Sequence, residues 1–207
     1  MEINIALSSD RHYCKLLATT IVSIFENNQD VDAIIVHCLL FDVGEDDVKE
    51  IRHIGTTYGR MINIIHTSQF CEMYRFWEDN EDGRYVRLLL PILLPSTDKV
   101  LYLDCDIIVR HSLSTLFCYD LSSYYHAAVL DTARMNARVE SCINDPNKYF
   151  NSGVMLINLK KWREDNIIEK FKSFKLRHSD KGIYRDQRIL NGTISDNYFI
   201  LPPEFNY

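Results

Sequence analysis

The chain has 207 residues, 46% of them hydrophobic and 25% charged, a balance that fits one soluble globular domain with a real core. Its formal net charge of −6 argues against a general nucleic-acid binder, which needs a basic face for the phosphates. An anionic ligand held by local cations or a metal remains compatible with that charge.

The elements follow in alternation. Ile3 to Ser8 reads as a short buried strand. Tyr13 to Asn27 repeats Leu16, Leu17, Thr20, Ile21 and Ile24 at helical spacing and stops at Asn27-Asn28. Ala33 to Phe41 is a second buried strand. Glu45-Asp46-Asp47 opens a helix to about Tyr58, where negative charge suits the N-terminal dipole. Met61 to His66 is a third strand. After a less regular stretch, Tyr85 to Leu94 is predicted to be an apolar helix carrying Arg87. Lys99 to Leu103 and Ile107 to Val109 are predicted as short strands on either side of Asp104-Cys105-Asp106. His126 to Leu130 and Val154 to Leu159 are further strands, followed by a helix over about Lys161 to Leu176 and a shorter one around Asp186 to Leu190.

This order predicts an α/β fold with a mostly parallel sheet covered on both faces, within a single domain over residues 1–207. Met1 to Ile5 has no basic and apolar leader. The longest apolar run, Leu88 to Pro95, is interrupted by Pro91 and is too short to cross a membrane. Cys14, Cys38, Cys71, Cys105, Cys118 and Cys142 show no C-x-x-C spacing, and most lie in apolar stretches. That usage favours a reducing cytoplasm over a disulfide framework or a zinc site.

Parallel sheets bind ligands at the carboxyl ends of their strands, and polar residues do follow the apolar runs: Ser8-Ser9-Asp10, Asp104-Cys105-Asp106, Asp131 and Asn151. In extended chain, residues two apart point the same way, so Asp104 and Asp106 could converge. Two like charges held together are costly unless a cation lies between them, and oxygen ligands suit Mg²⁺ or Mn²⁺. A D-x-D alone also fits a solvated acidic turn or an aspartate-nucleophile phosphatase. The phosphatase motif usually opens its domain and leads into a helix, whereas this one lies mid-chain before Ile107-Ile108-Val109. Arg87 is a candidate phosphate partner or a snorkelling surface residue. Phe150-Asn151-Ser152-Gly153 is a close-approach loop or an ordinary turn, and Asp186-Gln187 suits a helix start.

Taken in order, the segments Ile5-Ala6-Leu7-Ser8-Ser9-Asp10 with Tyr13, Tyr85-Val86-Arg87, Lys99 through Asp106, Phe150 through Leu159 with Trp162, and Asp186-Gln187 with Ile189-Leu190-Asn191 resemble family 8 glycosyltransferases. That family includes bacterial lipopolysaccharide α-galactosyl- and glucosyltransferases and, more distantly, glycogenin. The resemblance implies a Rossmann-like nucleotide-diphospho-sugar transferase fold of the GT-A type. It implies transfer from UDP-galactose or UDP-glucose to a saccharide or glycolipid acceptor, with retention at the anomeric carbon. By the same resemblance Ser8 and Asp10 lie beside the uracil, Tyr13 stacks on it, and Arg87 helps hold the donor. Asp104 and Asp106 would hold Mn²⁺ or Mg²⁺ against the diphosphate, while Asp131, Asn151, Asp186 and Gln187 would line the sugar. Gln187 is the family's candidate near the anomeric face, and an Asp186 nucleophile is the alternative to front-face attack.

His12 stands where relatives often carry Asn. The family usually continues to an H-x-x-G-x-x-K-P-W segment that supplies a third metal ligand, and residues 1–207 are expected to lack it. Peripheral membrane association would pass through that missing region. The competing expectation is a UDP-sugar-binding protein without transfer.

Overall fold

The computed structural model describes residues 1–70, 83–131, 143, 145–178 and 185–207. They form two compact units: residues 1–86 with 100–119, and residues 87–99 with 120–207.

The first unit is built on parallel strands. These are β1 (Glu2–Asp10), β2 (Ala33–Phe41), β3 (Met61–His66) and β4 (Lys99–Leu103, whose first residue belongs to the second unit), in the order β3-β2-β1-β4. β1 is paired on both edges, with Leu7 opposite both Cys38 and Leu103. Its Ile3, Ile5, Ala6 and Leu7 are completely buried, which is why this run is apolar without alternation. Helix α1 (Cys14–Glu26) buries Leu17, Ile21, Ile24 and Phe25. Helix α2 (Glu45–Tyr58) carries three acids in its first turn and ends at Gly59. Gly59 has φ +61°, a left-handed conformation that glycine adopts without a Cβ penalty, and its N–H reaches back to Gly55 and Thr56.

The predicted strand over Ile107 to Val109 is not one. β4 stops at Leu103, the chain turns at Cys105-Asp106, and residues 107–110 take no regular form. Side chains of α1 serve the backbone groups that a sheet would otherwise have paired. The Thr20 hydroxyl lies 2.8 Å from both the Cys105 and Ile107 carbonyls, the Val109 N–H donates to Ser23 Oγ, and Asn27 Nδ2 donates to the Val109 carbonyl. The turn also removes the extended geometry from which convergence of Asp104 and Asp106 was inferred.

In the second unit β5 (His126–Leu130) lies between β6 (Phe150–Asn158), antiparallel, and β7 (Tyr198–Leu201), parallel. The β5–β6 register pairs Ala128 with Met155 but Leu130 with Phe150, so residues 151–154 of β6 are pushed out of step. Such bulges bend a strand and re-aim its side chains. β7 was not anticipated, although Tyr198-Phe199-Ile200-Leu201 is a short apolar run bounded by Asn197 and Pro202.

The helix expected over Lys161 to Leu176 is two helices, α3 (Leu159–Glu164) and α4 (Ile167–Arg177). Asn166 between them has φ +49°, which interrupts the helical path. Asn158 caps α3 by accepting from the Lys161 N–H at 2.9 Å. Helix α5 runs from Asp186 to Ile194. The helix expected over Tyr85 to Leu94 is a 3₁₀ segment, Gly83–Leu89, followed by one α turn, Leu90–Leu93. Pro91 supplies no N–H and so cannot continue an α ladder from the 3₁₀ segment. No described helix is long and apolar enough to cross a membrane.

His126 sits at the start of β5 with no exposure, its ring stacked on Tyr198 at 5.1 Å and tilted against Phe150 at 4.3 Å. Neither ring nitrogen has a hydrogen-bond partner among the described residues, and burial pushes its pKa down to about 3. The imidazole is therefore neutral in the fold, while the unfolded chain takes up a proton below about pH 6.5. The contribution of His126 to stability is constant above that pH and falls by about 1.4 kcal/mol per unit between there and about pH 3. Replacing His126 by Leu should flatten that slope. Urea unfolding at pH 7 and pH 5 should give a pH penalty about 2 kcal/mol smaller in the variant than in the wild type. Equal penalties would contradict a buried, neutral His126.

Candidate functional site

The carboxyl ends of β1 and β4 lie side by side in the first unit, because Leu7 and Leu103 are paired and Ser8 and Asp104 come next in each strand. Ser8 Oγ shares a 2.8 Å hydrogen bond with the hydroxyl of Tyr102, a tyrosine with no exposure. Asp10 Oδ1 accepts from the backbone N–H groups of His12 (2.7 Å) and Tyr13 (3.2 Å), closing the turn that launches α1. One oxygen of Asp10 is thus committed to local structure. The Tyr13 ring is 47% exposed, an aromatic face open to stacking.

Asp104 is half-buried and Asp106 exposed, on either side of Cys105. Burial pushes the Cys105 thiol up to about 12, and the carboxylates of Asp106, Asp104 and Asp10 push in the same direction. Three acids therefore act on one sulfur, which places concentrated negative potential at the ends of β1 and β4. Cys14 reports the same field: its thiol is raised by burial, then by Asp47, and also by Asp10. Among the described residues, no group of three or more His, Cys, Asp or Glu side chains forms a metal cage. Two carboxylates instead fit a hard cation that keeps its remaining positions for phosphate oxygens and water.

In the second unit the bulge of β6 carries a polar network. Arg87 and Asp186 are both 8% exposed, and Arg87 Nε lies 2.7 Å from Asp186 Oδ2. The contact is ionic, since the Nε–H is not aligned as a hydrogen bond. Arg87 Nη1 donates to the Ser152 carbonyl at 2.8 Å and to Ser152 Oγ at 3.2 Å. Gln187 Oε1 accepts from the Ser152 N–H (3.1 Å) and lies 3.2 Å from Ser152 Oγ, while its Nε2 donates to Asp131 Oδ2 at 2.8 Å. Burial raises the Tyr149 phenol, against a hydrogen bond from Gln187 and the charge of Arg188.

Asn191, one turn along α5 from Gln187, holds both backbone groups of Phe150, accepting from its N–H at 2.8 Å and donating to its carbonyl at 2.9 Å. Asn151 Oδ1 accepts from the Gly153 N–H and from Asn206 Nδ2. The sequence-predicted residues thus fall into two groups. Ser8, Asp10, Tyr13, Asp104 and Asp106 stand at neighbouring strand ends in the first unit. Arg87, Asp131, Asp186 and Gln187 join one network in the second, with Asn151 in the adjoining bulge. Arg87, read as a phosphate partner or a surface residue, is buried and engaged with Asp186 and Ser152.

Thr20, Ser152 and Tyr149 received no role from the sequence. Thr20 was hidden in the apolar periodicity of α1, and Ser152 lay inside the Asn151-Ser152-Gly153 motif. A cavity of about 730 Å³ lies elsewhere in the second unit, lined by Glu169, Lys170, Phe174, Arg177 and Thr193 among others, and none of the predicted residues borders it.

The α/β fold, with parallel strands that carry acidic residues at their carboxyl ends, is of the GT-A glycosyltransferase kind. The family model for glycosyl transferase family 8 matches residues 4–207, and the chain belongs to that family of enzymes. It is 28% identical to general stress protein A of Bacillus subtilis (strain 168), over 99% of this chain and 73% of that protein. It is 31% identical to a lipopolysaccharide 1,2-glucosyltransferase of Escherichia coli, over 98% of this chain and 62% of that one. Among solved structures it matches the galactosyltransferase LgtC, determined with donor and acceptor sugar analogues, at a TM-score of 0.84 and 28% identity. That match covers 99% of this chain and 75% of LgtC.

The Arg87–Asp186 pair gives a direct test of the network. Replacing Arg87 by Met leaves a buried carboxylate without its ionic partner and should cost about 3–5 kcal/mol. The Arg87→Met, Asp186→Leu double variant should recover much of that loss in urea unfolding. A cost under about 1 kcal/mol for Arg87→Met would show that the pair is solvated like a surface bridge.

Proposed function

We propose that the protein is a retaining, metal-dependent hexosyltransferase that uses UDP-galactose or UDP-glucose and passes the hexose to a saccharide or glycolipid acceptor. The observation that carries this reading is the acid pair Asp104–Asp106 directly after β4, beside the carboxyl end of β1 and in a turn anchored by Thr20. A lone acidic turn would need no such anchoring from a buried helix face. The relatives support the sugar chemistry: one is named for glucosyl transfer to lipopolysaccharide, and another was solved with donor and acceptor sugar analogues.

In this reading the first unit takes the nucleotide. Tyr13 stacks on the uracil, and Ser8 and the remaining oxygen of Asp10 contact the uridine. Asp104 and Asp106 would hold Mn²⁺ or Mg²⁺. Bound there, the ion would supply positive charge to the diphosphate as it leaves. The second unit takes the hexose through Asp131, Asn151 and Gln187, with Arg87 and Asp186 locking the wall behind them.

Retention follows from front-face substitution. The bond from the anomeric carbon to the phosphate oxygen breaks as the acceptor oxygen bonds on the same face, and the acceptor proton passes to the departing phosphate. The contact with Arg87 favours this route over an Asp186 nucleophile, because the oxygen that would attack is already engaged by the guanidinium. The reaction is assigned to the cytoplasm, in keeping with thiols carried in apolar stretches.

UDP should bind at least about tenfold more tightly with Mn²⁺ than with EDTA in calorimetry, since two carboxylates repel a diphosphate unless a cation intervenes. Asp104→Asn and Asp106→Asn should erase that difference. Gln187→Ala should leave UDP affinity unchanged and lower turnover about ten- to hundredfold, the effect of losing a contact made more strongly in the transition state. Thermal shifts should rank UDP above GDP and ADP. Metal-independent UDP binding, or a larger shift with GDP, would contradict the reading.

A further inference from the structure

The hydrogen-bond polarity of the second-unit network can be assigned without ambiguity, although amide orientations are often a matter of choice. A backbone N–H can only donate, so the Gln187 atom 3.1 Å from the Ser152 nitrogen is the carbonyl oxygen. A carboxylate only accepts, so the atom 2.8 Å from Asp131 Oδ2 is the amide nitrogen. The two ends fix the same orientation independently. Arg87 Nη1 only donates, so Ser152 Oγ accepts from it, and the single hydroxyl proton is left for Gln187 Oε1. The order of donation is then Arg87 to Ser152, Ser152 to Gln187, and Gln187 to Asp131.

Two consequences follow. Gln187 Oε1 receives two hydrogen bonds from Ser152, so both of its lone pairs are engaged and neither is available to attack an anomeric carbon. The chain of donation ends on the half-buried Asp131 carboxylate, one oxygen of which is pinned by Gln187 Nε2. Ser152 is 3% exposed and sits in the bulge where the β5–β6 register breaks, so its hydroxyl is aimed by the backbone and not by solvent.

We propose that Ser152 is a positioning residue for sugar transfer, which acts through the Gln187 amide to hold the Asp131 carboxylate in place. The proposal rests on the transferase reading above. Gln187 then meets the sugar with its amide held in one orientation, and the same chain of hydrogen bonds fixes Asp131 beside it.

The test uses the full chain with Mn²⁺ and with UDP-glucose and UDP-galactose as probes. Ser152→Ala should lower kcat about three- to tenfold, the effect of one hydrogen bond, while the donor KM and the calorimetric affinity for UDP stay at wild-type values. Ser152→Thr keeps the hydroxyl and should restore most of kcat. In a Gln187→Ala background, Ser152→Ala should cost nothing further, because the residues act as one unit. Equal losses in both backgrounds would mean that Ser152 merely supports Arg87, and would overturn the proposal.

A second readout does not depend on turnover. The Gln187 side-chain amide protons, assigned by their disappearance in Gln187→Ala, should exchange slowly with solvent in the wild type and measurably faster in Ser152→Ala. Unchanged exchange would overturn the lock. Failure to turn over either sugar would contradict the transferase reading, and the exchange result would still decide whether Ser152 holds Gln187.

Discussion

Two like charges held two positions apart at the end of a buried strand set the problem around which the first unit is organised. Burial, and then the carboxylates of Asp106, Asp104 and Asp10, hold the Cys105 thiol above its ordinary range. Nothing apolar could stabilise such a turn. Thr20, Ser23 and Asn27 along α1 hold it by grasping the carbonyls and the N–H of residues 105–109. These hydrogen bonds are buried or part-buried and costly to leave unmade, so the acidic turn is held by the protein itself. In the transferase reading this fixed turn is where Asp104 and Asp106 would hold a cation.

The second unit rests on a different device. A broken register between β5 and β6 takes residues 151–154 out of the ladder, and Asn191 grips the backbone of Phe150 where the break begins. Ser152 is thereby aimed at both Arg87 and Gln187. The buried Arg87–Asp186 pair binds the 3₁₀ segment to the start of α5. Burying those charges contributes little net stability, yet removing one partner is costly, so the pair specifies geometry more than it stabilises.

The strands β1 to β6 were legible because strands buried in a sheet leave apolar runs with polar residues at their ends. The misreadings have different causes, some distant in sequence and some local. Ile107 to Val109 looks like a strand, but α1 satisfies its backbone from 80 or more positions away. Lys161 to Leu176 keeps helical spacing through a break that one left-handed asparagine imposes. β7 left a readable signal in Tyr198 to Leu201, but the run is only four residues long. At the candidate site, residue type and position after a strand pointed to Asp104, Asp106 and Asp131, while Gln187, at a helix start, was singled out only by the family resemblance. No sequence pattern could show that Arg87 faces Asp186, or that Ser152 meets Gln187, because both pairs join elements far apart in sequence and the second also depends on a register break.

The central claim is that these residues serve retaining transfer from a UDP-hexose. Its most direct test is proton NMR of the chain incubated with Mn²⁺ and UDP-galactose or UDP-glucose, following the anomeric signal of the transferred or released sugar at early times. The account predicts that one of the two donors is consumed and that the first product carries the α configuration of the donor. A β product at early times, or consumption of neither donor while UDP binds, would contradict it.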